Sequence, residues 1–190
     1  ICNLGNFRNC KSLKSFQIPD NVTTLGNILF EGSGLTSITI PDSVTSINPF
    51  AFNNCTDLKN VYIPESVTNI GRYAFANCTS LTNIIIPDSV TSIGTNIFED
   101  CKSLTNVTIP NSITSIGESA FENCTSLTKI VIPDSVTSIG KSTFAECTSL
   151  TKIVIPDSVT SIGSAAFVKC DNLTIYGFSG SYAETYAEEN

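Results

Sequence analysis

A repeat of 23 residues constrains this chain more than any other feature of its sequence. Proline recurs at positions 19, 41, 64, 87, 110, 133 and 156, so the first interval is 22 residues and every later one is 23. Cysteine keeps the same period from Cys55 to Cys170, and residues 78–100 form one complete unit. A coil of this length cannot bury its own apolar side chains. The fixed period therefore predicts coils that stack on one another and share one core.

The apolar positions of the unit predict its extended segments. A short strand comes first, and Pro87 ends it because proline has no N–H to donate to a ladder. Asp88 follows Pro87 and suits the middle of a tight turn, after which a second extended segment returns to the core. The apolar residues that define these two segments are Leu81, Ile84, Ile86, Val90 and Ile93.

Two further columns of the repeat predict a bend and a stack of rings. The first column contains glycine with a single asparagine, and both residues tolerate positive φ, so we expect a left-handed bend there. Its members are Gly26, Asn48, Gly71, Gly94, Gly117, Gly140 and Gly163. The second column contains phenylalanines whose rings we expect to stack along a common axis. Its members are Phe30, Phe52, Phe75, Phe98, Phe121, Phe144 and Phe167.

These columns predict a β-rich, right-handed solenoid with a parallel sheet on one face and short extended and turn segments on the other. Coils about 4.8 Å apart would give a rod or shallow arc on the order of 40 Å long. We expect a partial leading repeat over residues 1–9, seven repeats of 22–23 residues over 10–169, and a final partial repeat with a cap over 170–190. Ser181 and Glu184 have capping-box spacing, which predicts a short helix whose buried side contains Ala183, Tyr186 and Ala187.

The repeat consensus resembles a known family. Leu-Thr-x-Ile-x-Ile-Pro-Asp-Ser-Val-Thr-Ser-Ile-Gly-x-x-Ala-Phe-x-x-Cys is similar to the 23-residue repeat of BspA-like (treponemal-type) leucine-rich repeat proteins, over essentially the whole chain. This resemblance implies a leucine-rich-repeat solenoid on a surface-exposed or secreted protein that binds other proteins, often as an adhesin. One unit departs from the pattern, because it is shortened by one residue between Phe30 and Leu35, with Gly32 and Ser33 where cysteine would fall. The local turn is therefore left open.

The composition argues against several functional classes. The net charge is −7 and there is no histidine, which removes the usual acid/base group near neutral pH and the commonest metal ligand. No motif for nucleophilic catalysis appears, so we expect no enzymatic activity and no cofactor. An acidic chain with scattered lysines offers no phosphate-tracking surface, so we expect no nucleic-acid partner. The aliphatic runs fall far short of the roughly 18 residues that a membrane helix needs, so no membrane insertion is expected.

Three recurring polar groups have both a structural and a chemical interpretation. We expect the cysteine column to contain buried, reduced thiols, because in-register coils place Cβ atoms farther apart than a disulfide favours; Cys2 lies outside the phase and its redox state stays open. A carboxylate column after each proline could suggest stacked Ca²⁺ sites, but a turn-forming role is favoured, and no metal is expected. Sequons are interpreted as a by-product of a turn. The carboxylate column is Asp20, Asp42, Glu65, Asp88, Asn111, Asp134 and Asp157, and the sequons start at Asn21, Asn54, Asn77, Asn106, Asn123 and Asn172.

The solvent side of the predicted sheet is the candidate binding surface. Its central column is polar at first and becomes aromatic or β-branched from Tyr62 onward, through Ile85, Thr108, Val131 and Val154. A second column, two residues earlier in each unit, borders it with Asn60, Asn83, Asn106, Lys129 and Lys152. An apolar patch with a polar rim indicates a protein-binding face. The alternative is that these residues serve β-propensity and packing between neighbours, without any partner.

We therefore predict a non-catalytic protein-binding domain of a cell-surface or secreted protein, with a host or matrix protein as partner. Two alternatives stay open: an intracellular interaction scaffold, which reduced thiols would also suit, and a structural spacer in a longer repeat stalk. The chain begins inside a repeat, so we expect it to be a fragment of a longer array. Its uncapped first coil would then allow end-to-end self-association.

Overall fold

The computed structural model of the chain describes residues 6–189 and shows a parallel-sheet solenoid. On one face, a ladder of three-residue strands contains β2 (Ser37–Thr39), β4 (Asn60–Tyr62), β6 (Asn83–Ile85), β8 (Asn106–Thr108), β11 (Lys152–Val154) and β13 (Thr174–Tyr176). The strands pair in parallel and in register as β2 with β4, β6 with β8 and β11 with β13, so Thr39 lies beside Tyr62 and Ile85 beside Thr108. In the coil between β8 and β11, Lys129 forms a single parallel bridge to Lys152. This face confirms the predicted sheet.

A second ladder of two-residue strands runs along another side of the coils. It consists of a three-stranded sheet, β1 (Thr24–Leu25), β3 (Ser46–Ile47) and β5 (Asn69–Ile70), and a four-stranded sheet, β7 (Ser92–Ile93), β9 (Ser115–Ile116), β10 (Ser138–Ile139) and β12 (Ser161–Ile162). Between the two ladders lies the turn that the sequence places after each proline, closed by bonds such as Val90 N–H to Pro87 O at 3.1 Å. The serine of this turn donates to the preceding coil, as Ser135 Oγ does to Ile113 O at 2.7 Å.

One continuous core runs through the coils, and a stack of phenylalanine rings lies within it. Neighbouring ring centroids from Phe30 to Phe167 are 5.2–5.8 Å apart, with interplanar angles of at most 17°. Each ring from Phe30 to Phe144 is fully buried. Phe7 extends the stack at the N-terminal end, with its ring nearly parallel to that of Phe30. The predicted alignment of equivalent residues along a common axis is confirmed.

The predicted left-handed bend at the glycine column is wrong. None of its described members has positive φ; instead, the residue two positions later does in every coil, namely Ile28, Phe50, Tyr73, Asn96, Ser119, Ser142 and Ala165. At four of its members glycine is needed for a different reason, which is close approach to the coil before it, whereas Gly26 and Gly94 have room for a Cβ. A Cβ on Gly140 would lie 2.6 Å from Glu118 N, and one on Gly163 would lie 2.3 Å from Lys141 N.

The shortened unit keeps the solenoid geometry. Gly32 has φ +64°, the conformation that Asn54 and Asn77 adopt in the next two coils. Ser33 then takes the cysteine position, where it is buried and its Oγ lies 3.4 Å from Cys55 Sγ. The missing residue therefore falls between Ser33 and Leu35, where Gly34 N–H donates to Cys10 O at 3.1 Å.

Helix α1 (Tyr182–Glu189) lies at the C-terminal end, within the segment that the sequence assigns to the cap. Ala183 and Tyr186 are buried, and the Tyr186 ring meets that of Phe167 edge to face at 5.9 Å, so the helix covers the end of the ring stack. Two details differ from the prediction. Ala187 is exposed, and Glu184 Oε2 accepts from Gly180 N–H at 2.6 Å while the buried Ser181 Oγ has no partner among the described residues.

Candidate functional site

All ten residues predicted for the binding face lie on the solvent side of the three-residue ladder. The central column is here called the stripe; of its apolar members, Tyr62 is 57% exposed, Ile85 68%, Val131 76% and Val154 47%. Thr108, the remaining predicted member, is exposed as well. The side chains between them in sequence point inward, because alternate strand residues face opposite sides of a sheet, so Ile84, Val107 and Ile153 belong to the core.

The second column forms a polar border along one side of the stripe. Asn60, Asn83, Asn106, Lys129 and Lys152 are all exposed, and register pairs such as Asn83 with Asn106 place them side by side. The structure therefore brings the predicted residues together in two parallel columns. Their role in binding stays a prediction, since geometry places them on one face without identifying a partner.

The stripe continues further than the sequence indicated. Tyr176 is paired in register with Val154 and is 47% exposed, and Phe178 is 60% exposed two residues later. Lys152 Nζ lies 4.5 Å from the centroid of the Tyr176 ring, a cation–π distance. The repeat pattern predicts an exposed residue at this position, but Tyr176 is one residue closer to the preceding leucine than in a full unit. The final partial repeat has one residue fewer between Leu173 and Ile175 than a full unit has between Leu150 and Ile153.

On the other side of the stripe, the carboxylate column follows each strand. Its described members are exposed, and we call them the carboxylate edge: Asp20, Asp42, Glu65, Asp88, Asn111, Asp134 and Asp157. Among residues 6–189, no three His, Cys, Asp or Glu side chains lie close enough together to hold a metal ion. The ion pairs of this part of the chain involve neither Lys129 nor Lys152, and neither Asp134 nor Asp157. The face therefore has a cationic and amide side, an apolar centre and an anionic side.

The cysteine column has a structural role. Each thiol from Cys55 to Cys170 is free and buried and donates to the carbonyl of a phenylalanine in the preceding coil, as Cys101 Sγ does to Phe75 O at 3.2 Å. Burial raises the pKa of the Cys101 thiol to about 12, so this thiol stays protonated and is a poor nucleophile. Burial also raises the pKa of the Cys78 and Cys124 thiols well above the ordinary value. The expected buried thiols are confirmed over this range.

Cys10 corrects that interpretation at one position. It is buried but disulfide-bonded, so the prediction of a reduced thiol is wrong there. Every later thiol donates to a carbonyl 25 or 26 residues earlier in the chain. Cys2, whose redox state the sequence left open, lies outside the described residues.

The recurring sequons also have a backbone explanation. Asn54, Asn77 and Asn123 each have φ between 58° and 59°, and asparagine is the non-glycine residue that adopts this conformation most readily. Their shared position therefore follows from the turn, as the sequence suggested, whatever their modification state.

Two further features concern the ends and the membrane. A cleft of about 530 Å³ lies between the final coil and helix α1, lined by apolar side chains that include Phe167, Leu173, Ile175 and Tyr186. Among the described residues, no helix has the length and apolar character needed to cross a bilayer.

Comparison with protein families agrees with the geometry. The family model described as "BspA type Leucine rich repeat region (6 copies)" matches residues 3–105 and 68–187. Comparison with curated protein sequences gives no match. The two matched ranges together cover almost the whole chain, which is the extent over which the coils repeat.

Solved structures of bacterial leucine-rich repeat proteins have the same fold. A protein from Bacteroides ovatus is 32% identical over 90% of this chain and 51% of its own, with a TM-score of 0.79. One from T. pallidum is 27% identical over 93% and 82%, with a TM-score of 0.80. A leucine rich cell surface protein from Faecalibacterium prausnitzii is 29% identical over 87% and 69%, with a TM-score of 0.58. The chain spans about half the length of the first. With the repeat, the stacked coils and the family model in agreement, the chain belongs to the BspA-type leucine-rich repeat family.

Proposed function

We propose that this chain is a non-catalytic, protein-binding leucine-rich repeat domain of a cell-surface or secreted protein, and that it adheres to host or matrix proteins through the sheet face. The observation that carries the proposal is the exposed apolar stripe between two polar columns. An exposed apolar stripe lowers the solubility of a protein, and this one contains Tyr62, Ile85, Val131, Val154 and Tyr176. An apolar centre with a polar rim is the usual composition of a protein interface.

Three observations support the details of the proposal. The face is about 20 Å wide and 40 Å long, roughly 800 Å², which is near one side of a standard protein interface. No three His, Cys, Asp or Glu side chains in the described part of the chain lie close enough together to hold a metal ion, and the thiols from Cys55 to Cys170 are buried. One structural relative from Faecalibacterium prausnitzii is described as a cell surface protein, which favours a similar location here.

The intracellular scaffold is the second candidate, and one observation favours it. Six free thiols are typical of a reducing compartment. Their burial weakens that argument, because a protonated thiol without solvent access persists outside the cell as well. The surface location is preferred because a structural relative from Faecalibacterium prausnitzii is described as a cell surface protein.

Capture of matrix and plasma proteins tests the proposal. Immobilised wild-type chain is compared with Tyr62→Ala/Ile85→Ser, which removes the largest anchor and a β-branched neighbour from the stripe. We expect captured protein to fall by at least about tenfold, because each truncated anchor at the centre of an interface costs about 1–2 kcal/mol or more.

Val168→Ser is the matched control, because Val168 is 47% exposed but lies outside the sheet face. This variant should capture as much as the wild-type chain. If the stripe variant also retained full capture, the sheet face would not be the binding surface. If the wild-type chain captured nothing from either source, the spacer hypothesis would replace the proposal.

A further inference from the structure

The sheet face carries opposite charges on its two sides, and this asymmetry identifies a partner. The polar border contributes Lys129 and Lys152 and contains no carboxylate, whereas the carboxylate edge contributes six carboxylates and contains no cation. We propose that the face binds a second copy of this chain, with the two sheet faces together and a twofold axis along the stripe. The dimer uses the same face as the proposed function, so a second copy and a matrix protein would compete for the stripe.

Symmetry selects this arrangement. Two faces can meet with the twofold axis along the stripe or with the axis across it. An axis across the stripe brings the border onto the partner's border and the carboxylate edge onto the partner's carboxylate edge, so no lysine meets a carboxylate. An axis along the stripe keeps each coil level with its counterpart and brings the border onto the partner's carboxylate edge, as an isologous dimer with complementary charge requires.

The distances within one coil fit the second arrangement. Lys129 precedes Val131 by two residues and Asp134 follows it by three, at the start of the turn, so their backbones lie about 7 Å and at most about 10 Å on either side of the stripe. The lysine side chain is long enough to cover the difference. The same relation holds for Lys152, Val154 and Asp157 in the next coil. These four charged groups make no ion pair within residues 6–189, and the one contact of this kind is that of Lys152 Nζ with the Tyr176 ring, which a partner carboxylate would replace.

Residues on the axis meet their own counterparts, and the four that follow can do so without conflict. Ile85, Val131 and Val154 would pack on themselves, and Thr108 would meet Thr108, where two hydroxyls can exchange a hydrogen bond. The apolar stripe then supplies the affinity, because exposed ion pairs contribute only about 0–1 kcal/mol each. The charged sides fix the orientation. About 800 Å² per copy is in the range of specific interfaces.

Paired charge reversals test the arrangement. Lys129→Glu/Lys152→Glu makes both sides of the face anionic, and Asp134→Lys/Asp157→Lys makes both cationic. In sedimentation equilibrium at low ionic strength, up to about 1 mM chain, we expect wild-type dimers and at least about tenfold weaker self-association of each variant. An equimolar mixture of the two variants should recover 1:1 dimers, because each anionic side then faces a cationic one.

A cysteine on the axis gives an independent measurement. Val131→Cys should form an intermolecular disulfide with copper phenanthroline as oxidant, since position 131 meets its own counterpart, whereas Asp134→Cys in the same coil should not. Circular dichroism and urea unfolding confirm that each variant is folded, and all substituted side chains are exposed.

Three results would overturn the inference: wild-type chain that stays monomeric throughout, dimers that survive both charge variants, or a mixture that stays monomeric. Surviving dimers would place the contact elsewhere, such as the ends of the coils. The outcome is separable from the proposed function. A monomer whose capture of matrix protein still depends on Tyr62 and Ile85 would leave that function standing, and a dimer that captures nothing would leave only the inference.

Discussion

Two positions in each coil hold the backbone in the left-handed region, although most of their side chains disfavour it. One position precedes the cysteine column and contains Asn9, Gly32, Asn54, Asn77 and Asn123 among its members. The other contains Ile28, Phe50 and Tyr73, for which positive φ is uncommon and costs about 1–2 kcal/mol. Bonds between coils offset this cost, as when Phe50 N–H donates to Arg72 O and Asn54 N–H to Ala76 O.

This residue-level geometry was only partly predictable. Asparagine recurs before the cysteine column, so a left-handed residue could have been predicted there. The other position carries isoleucine, phenylalanine, tyrosine, asparagine, serine and alanine in different coils, and no single residue type marks its conformation. Glycine was recognised as special for the wrong reason, because a sequence shows that a side chain is absent but not which backbone approaches the space.

Two glycines of the same column allow that reason to be tested. A Cβ on Gly140 would lie 2.6 Å from Glu118 N and from Gly117 C, whereas the nearest atom to one on Gly94 is Ile70 O at 3.6 Å. Gly140→Ala should therefore lower the free energy of unfolding by about 1–3 kcal/mol, since the backbone of the preceding coil must shift. Gly94→Ala should be neutral or stabilising by up to about 1 kcal/mol. Urea unfolding measures both, and equal effects would contradict close approach as the cause.

The buried thiols predict a loss of stability in alkaline solution. Burial holds the pKa of the Cys101 thiol at about 12 in the folded chain, against 9.0 in its ordinary state. Between about pH 9 and about pH 12 the unfolded chain releases this proton and the folded chain keeps it. The stabilisation is therefore complete below about pH 9 and is lost as pH rises. The slope approaches about 1.4 kcal/mol per pH unit for each such thiol.

Cys101→Ser isolates this contribution, because serine has no comparable ionisation and Ser33 already occupies the same position of the coil. The free energy of unfolding should fall less steeply above pH 9 than in the wild-type chain, by up to about 1.4 kcal/mol per pH unit. Thr105→Ser, an exposed substitution in the same unit, should leave the slope unchanged. Identical slopes for Cys101→Ser and wild type would mean that the thiol ionises equally in both states.

At the scale of the elements, the alternation of exposed and buried residues made a strand predictable where the strand is three residues long. The three-residue strands have an exposed–buried–exposed pattern in β6, β8 and β11, so both their existence and the faces of their residues could be inferred. The two-residue strands show no alternation of their own, and the sequence indicated only an extended segment. They pair because each lies beside an equivalent segment of the next coil, as Ser115 does beside Ser138.

The candidate site followed from the same alternation, which placed Tyr62, Ile85 and Val131 on one exposed column. Tyr176 was missed because a deletion in the final unit shifts its position relative to Leu173. The helix at the C-terminus shows a similar limit. Residue spacing identified Ala183 and Tyr186 as its buried side, but the choice between Ser181 N–H and Gly180 N–H for the Glu184 carboxylate depends on how the loop enters the helix.

At the scale of the whole molecule, each coil contacts mainly the coils directly before and after it. The free energy of unfolding is then approximately a sum of the stabilities of single coils and of the interfaces between neighbouring coils. The position of a defect in the array therefore decides how many coils are separated from the rest. The ring stack is suited to test this, because Phe98 and Phe144 are both fully buried and each stacks on two rings. The centroid distances are 5.8 and 5.5 Å for Phe98, and 5.5 and 5.6 Å for Phe144.

Phe98→Ala and Phe144→Ala should therefore each remove a similar amount of local packing free energy, about 3–5 kcal/mol. The two variants should differ in how many coils lose stability. A defect at Phe98 leaves two short arrays, and neither can bury its core well alone, so amide exchange should accelerate in all coils. A defect at Phe144 leaves the longer array before it intact, so fast exchange should be confined to residues beyond about 120 while the coils around Phe52 and Phe75 keep their protection. Hydrogen exchange with mass spectrometry resolves the two patterns. If both variants lost protection uniformly along the chain, the solenoid would unfold as one cooperative unit, and the sum over neighbouring coils would not describe it.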